Sequence, residues 1–383
     1  MKVVVIIPTY NEKGNIDRLI QILEEEIFSS IKNHEMYILV ADDNSPDGTA
    51  EVVKKLMEKY KNIELNSGEK KGLGAAYVRA MTYAIETMQA DVMFEFDADL
   101  SHDPKKIPAF LQKIDEGYDM VIGNRYSDGG SIPQNWPPAR KAFSIVANLF
   151  VRIVFLRLTI HDWTGGFRAL KKEVFLKEKN ELEKYNGYIF QISFLHKVVR
   201  DGFRIGEVPF SFTDRTLGRS KIAPAGYIFD VLKFVIVTRI KEIIFGKFGK
   251  FLVVGGFGFI INAMTLRVLV EYIDWHPAPA NLVGAAFAIF SNYNFNNIWT
   301  FRERRSRTLG MYLFRMIEFY ASSSFGVVVI QTGTIFLGTA LLGKEFYFIY
   351  FLIGTSFLLL WNFTMYNRVI WRKKSASQVQ YCY

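Results

Sequence analysis

The stretch Phe94–Pro104, FEFDADLSHDP, constrains this chain more than any other. Val92–Phe96 reads as a short buried strand, VMFEF, running straight into two carboxylates one residue apart, Asp97 and Asp99. Side chains alternate along a strand, so residues i and i+2 share a side. The spacing therefore predicts Asp97 and Asp99, with Ser101 after them, facing one way from the strand end. Neighbouring carboxylates repel unless a cation sits between them. Hard divalent ions such as Mg²⁺ or Mn²⁺ take one or two carboxylates plus phosphate oxygens. The pair points to a nucleotide diphosphate carried with its metal. A bare DxD is more often a solvated acidic turn, so the context decides.

That context is a doubly wound start. Val3–Ile7 is a β-branched strand ending in Pro8-Thr9-Tyr10-Asn11-Glu12, and Asn15–Ile27 follows with a helical apolar period. A second strand, Tyr37–Val40, ends in Asp42-Asp43-Asn44-Ser45-Pro46-Asp47-Gly48-Thr49 before a helix over Ala50–Tyr60. Ile63–Leu65 is a third strand, and Lys70-Lys71-Gly72-Leu73-Gly74 opens another helix. Such alternation predicts an α/β class: a mostly parallel sheet with helices on both faces. Ligands of these sheets bind beyond the carboxyl ends of the strands. PTYNE, DDNSPDGT and DADLSHDP would converge there.

These strings, followed in order by GNRY (Gly123–Tyr126), TGGFR (Thr164–Arg168), GYIFQ (Gly187–Gln191) and GEVPFSFTDRTLGRSK (Gly206–Lys221), resemble the nucleotide-sugar glycosyltransferases of the GT-A (Rossmann-like) fold. More closely they resemble the dolichol-phosphate (polyprenyl-phosphate) mannose synthases. The resemblance covers roughly the first 225 residues, as an ordered set of motifs rather than a single one. It implies an inverting, metal-dependent transfer of mannose from GDP-mannose to dolichyl or polyprenyl phosphate. Pro8, Tyr10 and Glu12 would line the guanine–ribose pocket, with Asp43 and Asp42 toward the base and Lys71, Gly72, Asp97 and Ala98 completing the nucleotide site. Asp97, Asp99 and Ser101 would serve the metal. Arg125, Arg215 and Lys221 are the catalytic cations, and with Arg140 and Ser220 they form the acceptor-phosphate set. Arg168 is a weaker candidate for that set, its alternative use being to order the TGGFR loop, and His102 is expected to precede a helix start rather than bind metal.

Charge supports this chemistry. Breaking the bond from the anomeric carbon to diphosphate gathers negative charge on the leaving group, which a divalent metal neutralises as a Lewis acid. A phosphate-monoester acceptor is already anionic at pH 7, so it needs a cationic seat rather than a strong general base. Arginine suits that seat because it grips phosphate bidentately.

Composition bounds the alternatives. The 383 residues allow two domains. The single Cys382 excludes a disulfide framework. A net charge of +9 suits phosphate-bearing substrates or an anionic membrane surface. No interleaved basic and aromatic motif points to nucleic acid. The amino terminus reads as a strand rather than a secretory signal.

The chain changes character near residue 247. Apolar spans run over Phe251–Ile273, Ala280–Trp299, Ile317–Leu342 and Phe346–Ile370, each near the about 20 residues that cross a bilayer. Arg302, Arg304, Arg305, Arg307 and Arg315 lie between the second and third spans, and Arg368, Arg372, Lys373 and Lys374 follow the fourth. The other loops hold almost no Lys or Arg. This asymmetry predicts four transmembrane helices with both termini, the middle loop and the catalytic domain in the cytoplasm. The region resembles the GtrA-like membrane domains. The expected division is 1–221 catalytic, 222–248 an amphipathic interfacial linker, 249–374 transmembrane and 375–383 a tail. Ala142–Leu158 reads either as a core helix or as a second interfacial one.

Other readings separate on specific features. A polyprenyl-phosphate glucosyltransferase would share the scaffold and differ in sugar. A processive polysaccharide synthase would carry a QxxRW string, which is absent. A lipid-linked-sugar translocator with a degenerate catalytic domain conflicts with the intact DxD, GNRY and DR strings.

Overall fold

The computed structural model describes residues 1–180, 182–185, 187–214, 225–343 and 346–372. Arg215, Ser220, Lys221 and the tail 375–383 lie outside the described residues. The chain forms two compact units, Met1–Val237 and Thr238–Tyr383.

The first unit is built on a seven-stranded sheet in the order β3-β2-β1-β4-β6-β5-β7. The strands are β1 (Lys2–Thr9), β2 (Glu35–Asp42), β3 (Ile63–Ser67), β4 (Val92–Glu95), β5 (Met120–Asn124), β6 (Arg168–Lys171) and β7 (Ile205–Pro209). β1, β2, β3 and β4 run parallel, as the strand–helix alternation predicts. Every residue of Val3–Ile7 is fully buried, the continuous apolar pattern of a strand covered on both faces. Its side chains alternate between two cores. Val3, Val5 and Ile7 join Ile16, Leu19 and Phe110, whereas Val4 and Ile6 join Tyr77, Met81 and Phe190. The helices that cover the sheet include α1 (Lys13–Gln21), α2 (Thr49–Lys59), α3 (Leu73–Glu86), α4 (Ile107–Asp115), α5 (Pro138–Val154), α6 (Lys172–Glu178) and α7 (Gly187–Asp201). β1 lies between β2 and β4, so the strand order turns back there, and ligand crevices open beyond such switch points.

Two expectations need correction. β6 is a strand antiparallel to both β4 and β5, where the sequence reading had only the TGGFR loop. β4 ends at Glu95, so Asp97 and Asp99 lie in a turn beyond the sheet and not on its last residues. The alternation argument for their common direction therefore fails. Leu100, at φ +62°, takes the left-handed conformation that bends the chain away from an extended path.

α8 (Ala225–Phe245) occupies the segment expected as a linker, and the division between the two units falls inside it. The second unit is helical: α9 (Lys247–Glu271), α10 (Pro277–Phe295), α11 (Leu309–Phe325), α12 (Thr332–Leu342) and α13 (Tyr347–Met365). Among the described residues, Lys247–Glu271 and the continuous Leu309–Leu342 are long and apolar enough to cross a membrane. In the GGFGF string the close approach is made by Gly258. A Cβ there would collide with the Asn292 side chain of α10, while Gly255 and Gly256 face open space. Small residues permit such close helix contacts. Two arginines counted for membrane orientation also close the bundle: Arg304 donates to the carbonyls of Asn367 and Trp371, and Arg315 to that of Arg304.

Candidate active site

The carboxyl ends of β1 and β4 open into a cleft of about 730 Å³, within the ordinary range of small-molecule sites. Pro8, Tyr10, Glu12, Asp43, Gly72, Asp97, Ala98, Asp99, Ser101, Arg125 and Arg140 all line it, so most of the expected residues come together. The helix α3 presents its amino terminus to the cleft through Gly72, Leu73 and Ala76. Gly72 stands at φ +101°, a conformation that L side chains rarely adopt, which explains a glycine at this turn.

The acidic turn is tightly organised. The Ser101 amide donates to Asp99 Oδ1 at 3.1 Å, and Asp99 and Ser101 are buried. The Asp97 side chain is 38% exposed to the cleft. His102 packs parallel to Phe167 with ring centroids 5.1 Å apart. Its Nδ1 accepts from the Asp97 amide at 3.2 Å, and its Nε2 stands 3.5 Å from Asp97 Oδ2. Burial lowers the His102 pKa, against the pull of Asp97 and Asp99, so the ring is a neutral support for the turn. Asp103 caps the next helical turn by accepting from the Lys105 amide. Among the described residues no three His, Cys, Asp or Glu side chains converge as a metal cage. Two carboxylates without a third fit a divalent ion that takes its remaining ligands from diphosphate and water.

Beneath the turn, Glu95 of β4 is paired in register with Arg168 of β6, and both are fully buried. Burial pushes the Glu95 carboxyl up to about 7, with the Arg168 charge pulling the other way. The Arg168 guanidinium donates to the carbonyls of Gln191 and Trp163, at 2.9 and 3.3 Å. It ties the end of the TGGFR segment to Trp163, just before it, and to Gln191 of α7.

On the nucleotide side, two assignments change. Asp42 does not line the cleft. It is buried, accepting from Thr9 Oγ1 at 2.8 Å and from the Ser45 hydroxyl and amide at 2.6 and 2.9 Å. It shapes the DDNSPDGT turn and leaves Asp43 at the cleft, bonded to Arg79 at 3.0 Å. Lys71 does not line it either. Its side chain is 66% exposed and pairs with Glu69. The neighbouring Lys70 takes the place expected of Lys71, with its ammonium 3.2 Å from the Tyr10 ring centroid. The doublet KK marked the loop, but two adjacent lysines point apart and only the fold selects between them. Lys70→Ala is expected to weaken nucleoside-diphosphate binding about fivefold, about 1 kcal/mol, the worth of one exposed cation–aromatic contact. Lys71→Ala is expected to leave it unchanged. Calorimetry with nucleoside diphosphates on both variants checks this.

The cations differ from expectation too. Arg125 lines the cleft, but its guanidinium is held by Asp162, with Nε at 2.7 Å and Nη2 at 2.9 Å. Burial alone would lower the Arg125 pKa; the Asp162 carboxylate outweighs it and raises it. Asp162 moves the other way: burial would raise it, and Arg125 holds it below the usual carboxylate range. Arg125 is thus half of a neutral buried pair, where the sequence reading had an open cationic seat. Arg140 is the more accessible cation, stacked 3.8 Å over Trp136 and 3.7 Å from Asp214. The aromatic wall of Trp136, Tyr188, Phe210 and Phe212 had not been singled out as site residues. Phe210 and Phe212 stand in the GEVPFSF string that pointed there.

The glycosyl transferase family 2 model matches residues 4–177, and the GtrA/DPMS transmembrane domain model matches residues 250–371. A dolichol-phosphate mannosyltransferase of Pyrococcus furiosus is 34% identical over 334 residues, which are 86% of this chain and 88% of the relative. A polyprenol monophosphomannose synthase of Mycolicibacterium smegmatis is 36% identical over 224 residues, 58% of this chain and 81% of its own. Among solved structures, mannosyl-3-phosphoglycerate synthase of Rubrobacter xylanophilus aligns over 64% of this chain and 74% of its own, at 18% identity and a TM-score of 0.44, too loosely to bear on the site. With its cleft, its acidic turn and a helical second unit that matches in sequence, the chain belongs to the dolichol-phosphate mannosyltransferases, a family 2 glycosyltransferase joined to a GtrA/DPMS transmembrane domain.

Proposed function

We propose that this protein transfers mannose, with inversion, from GDP-mannose to a dolichyl or polyprenyl phosphate at the cytoplasmic face of a membrane. The observation that carries the reading is the single cleft in which Asp97 and Asp99, the Tyr10–Lys70 pair and the Arg140–Trp136 stack all meet. Asp97 and Asp99 would hold a divalent metal, Mg²⁺ or Mn²⁺, which when bound supplies Lewis-acid neutralisation of the departing diphosphate. Ser101 orients Asp99 through its amide, and His102 supports Asp97. Tyr10, Asp43 and Lys70 grip the nucleoside. Arg140 is the seat for the acceptor phosphate, with Arg215, Ser220 and Lys221 the further candidates of the FTDRTLGRSK string. The acceptor oxygen attacks the anomeric carbon as the bond to GDP breaks, and no proton needs to be removed from it first.

The lipid side has its own support. α5 leaves Phe143, Val146, Leu149 and Ile153 exposed on one face, continued by Leu156 and Leu158. A contiguous apolar face on a domain fused to a transmembrane bundle suits partial burial in the headgroup region. Four spans, with both termini and the catalytic domain cytoplasmic, complete the proposal, as do domain limits at 221, 248 and 374. The loop arginines support that orientation.

Membranes containing the protein, given polyprenyl phosphate and labelled GDP-mannose, are expected to form an acid-labile mannosyl lipid. Labelled UDP-glucose should give none. Glucose transfer with no mannose transfer would overturn the sugar assignment. An inert protein with every nucleotide sugar would leave the translocator reading.

A further inference from the structure

α5 has two faces with different chemistry. Its outer face is the apolar surface just described. Its inner face carries Ser144, Asn148 and Val151, spaced i, i+4 and i+7. Asn148 is 3% exposed and has every polar atom engaged. Its Oδ1 accepts from the Trp163 amide at 2.8 Å, and its Nδ2 donates to Thr164 Oγ1 at 3.2 Å and to the Ser144 carbonyl at 3.1 Å. Thr164 Oγ1 in turn accepts from Arg125 Nη2 at 2.9 Å. One turn away, Ser144 Oγ meets the Tyr126 hydroxyl at 2.6 Å. The helix is therefore tied at two points to the Arg125–Tyr126 corner of the cleft. One tie passes through the Thr164 hydroxyl to Arg125, which lines the cleft while paired with the buried Asp162.

We propose that Asn148 is a positioning residue for the transfer. Through Thr164 it fixes Arg125, and so couples the geometry of the cleft to the seating of α5 in the membrane surface. This rests on the mannosyl transfer and interfacial helix argued above. The physical reason is specificity of direction. Asn148 alone on α5 satisfies both an amide and a hydroxyl of the Trp163–Thr164 segment, so a shift of the helix moves Thr164 against Arg125 instead of sliding past it. A buried amide left unpaired by such a shift is costly, which makes the coupling stiff. Misplacement of a catalytic-site group by a fraction of an ångström lowers turnover more than it lowers ground-state binding.

The test uses the full chain reconstituted in vesicles of mixed neutral and anionic phospholipid. A short, water-soluble isoprenyl phosphate serves as acceptor, so that acceptor delivery through the bilayer does not enter. Wild type must first make mannosyl lipid; if it does not, the proposed function fails before this inference is reached. Asn148→Ala and Thr164→Val are each expected to lower kcat about tenfold with the GDP Kd within about twofold. Thr164→Ser, which keeps the hydroxyl, should restore most of the rate. Val146→Asp combined with Ile153→Asp, which unseats the outer face, should also lower kcat about tenfold. Adding Asn148→Ala to that pair should cost little more, because both act through one path. A product of the two effects, near a hundredfold, would overturn the coupling. So would GDP affinity falling as far as turnover in Asn148→Ala, or Thr164→Ser behaving like Thr164→Val.

Discussion

Asp99→Ala is expected to lower mannosyl transfer by about 10²-fold or more, the several kcal/mol of charge stabilisation that a transition state loses with one of its principal charged groups. The residue is buried, its Oδ1 is aimed by the Ser101 amide, and it faces the cleft beside Asp97. On the proposed mechanism Asp99 would help hold the divalent ion that neutralises charge developing on the departing diphosphate, so kcat should fall further than donor affinity. Asp97→Ala, at the more open position, should weaken nucleotide binding as well as turnover. The measurement is transfer of labelled mannose to polyprenyl phosphate beside GDP binding on the same variants. Chelation should impose a similar loss on wild type and little further loss on Asp99→Ala. Full activity of Asp99→Ala in excess EDTA would refute the assignment.

The order of elements in the catalytic unit was legible because its first strands are long β-branched runs separated by helices of clear period. Such local signals survive without knowledge of the partners. β6 was not legible. Arg168–Lys171 is too short and too polar at its ends to announce a strand, and it exists because β4 and β5 offer ladders on both sides. The acidic turn was found for a reason that proved wrong in detail. Alternation along a strand placed the carboxylates together, whereas they reach the cleft from a turn beyond the strand's end, where His102 accepts from the Asp97 amide and the Ser101 amide donates to Asp99. Arg125 shows a further limit. Its partner Asp162 lies 37 residues away, in a segment no motif singled out, so the sequence offered a cation and the fold supplied its counter-ion. Of the four apolar spans expected, two correspond to helices long and apolar enough to cross a membrane among the described residues, Lys247–Glu271 and Leu309–Leu342. Which glycine makes the helix contact depended on the partner helix, and Gly258 could not be told from Gly255 or Gly256 without it.

Asp162 carries the second large expectation. Its carboxylate is wholly buried, and it accepts from the Arg125 guanidinium, from the amides of Arg125, Thr164 and Gly165, and from the Thr164 hydroxyl. Asp162→Ala strands a buried arginine and several donors at once. Removing one partner of a buried pair costs about 3–5 kcal/mol, because the remaining charge is left without compensation. For a unit of this size that corresponds to a fall in Tm on the order of 10 °C. The double replacement Arg125→Met with Asp162→Leu removes both charges and should recover the part of the stability lost to the stranded arginine, while transfer falls because the Arg125 side of the cleft is lost. That contrast separates the architectural use of the pair from its use at the cleft. The pH dependence has a definite sign. The Asp162 pKa is depressed in the folded protein, so its contribution is present above the unfolded carboxylate value of about 3.9 and is lost as pH falls through the lower, folded value. The stability gap between wild type and Asp162→Ala should therefore hold constant from neutrality to mildly acid pH and close only in strong acid. Hydrogen exchange at β5 and at the Thr164–Gly165 amides, followed across that range in the full chain, measures it. A gap that instead closed near pH 6 would assign the stabilisation to another group.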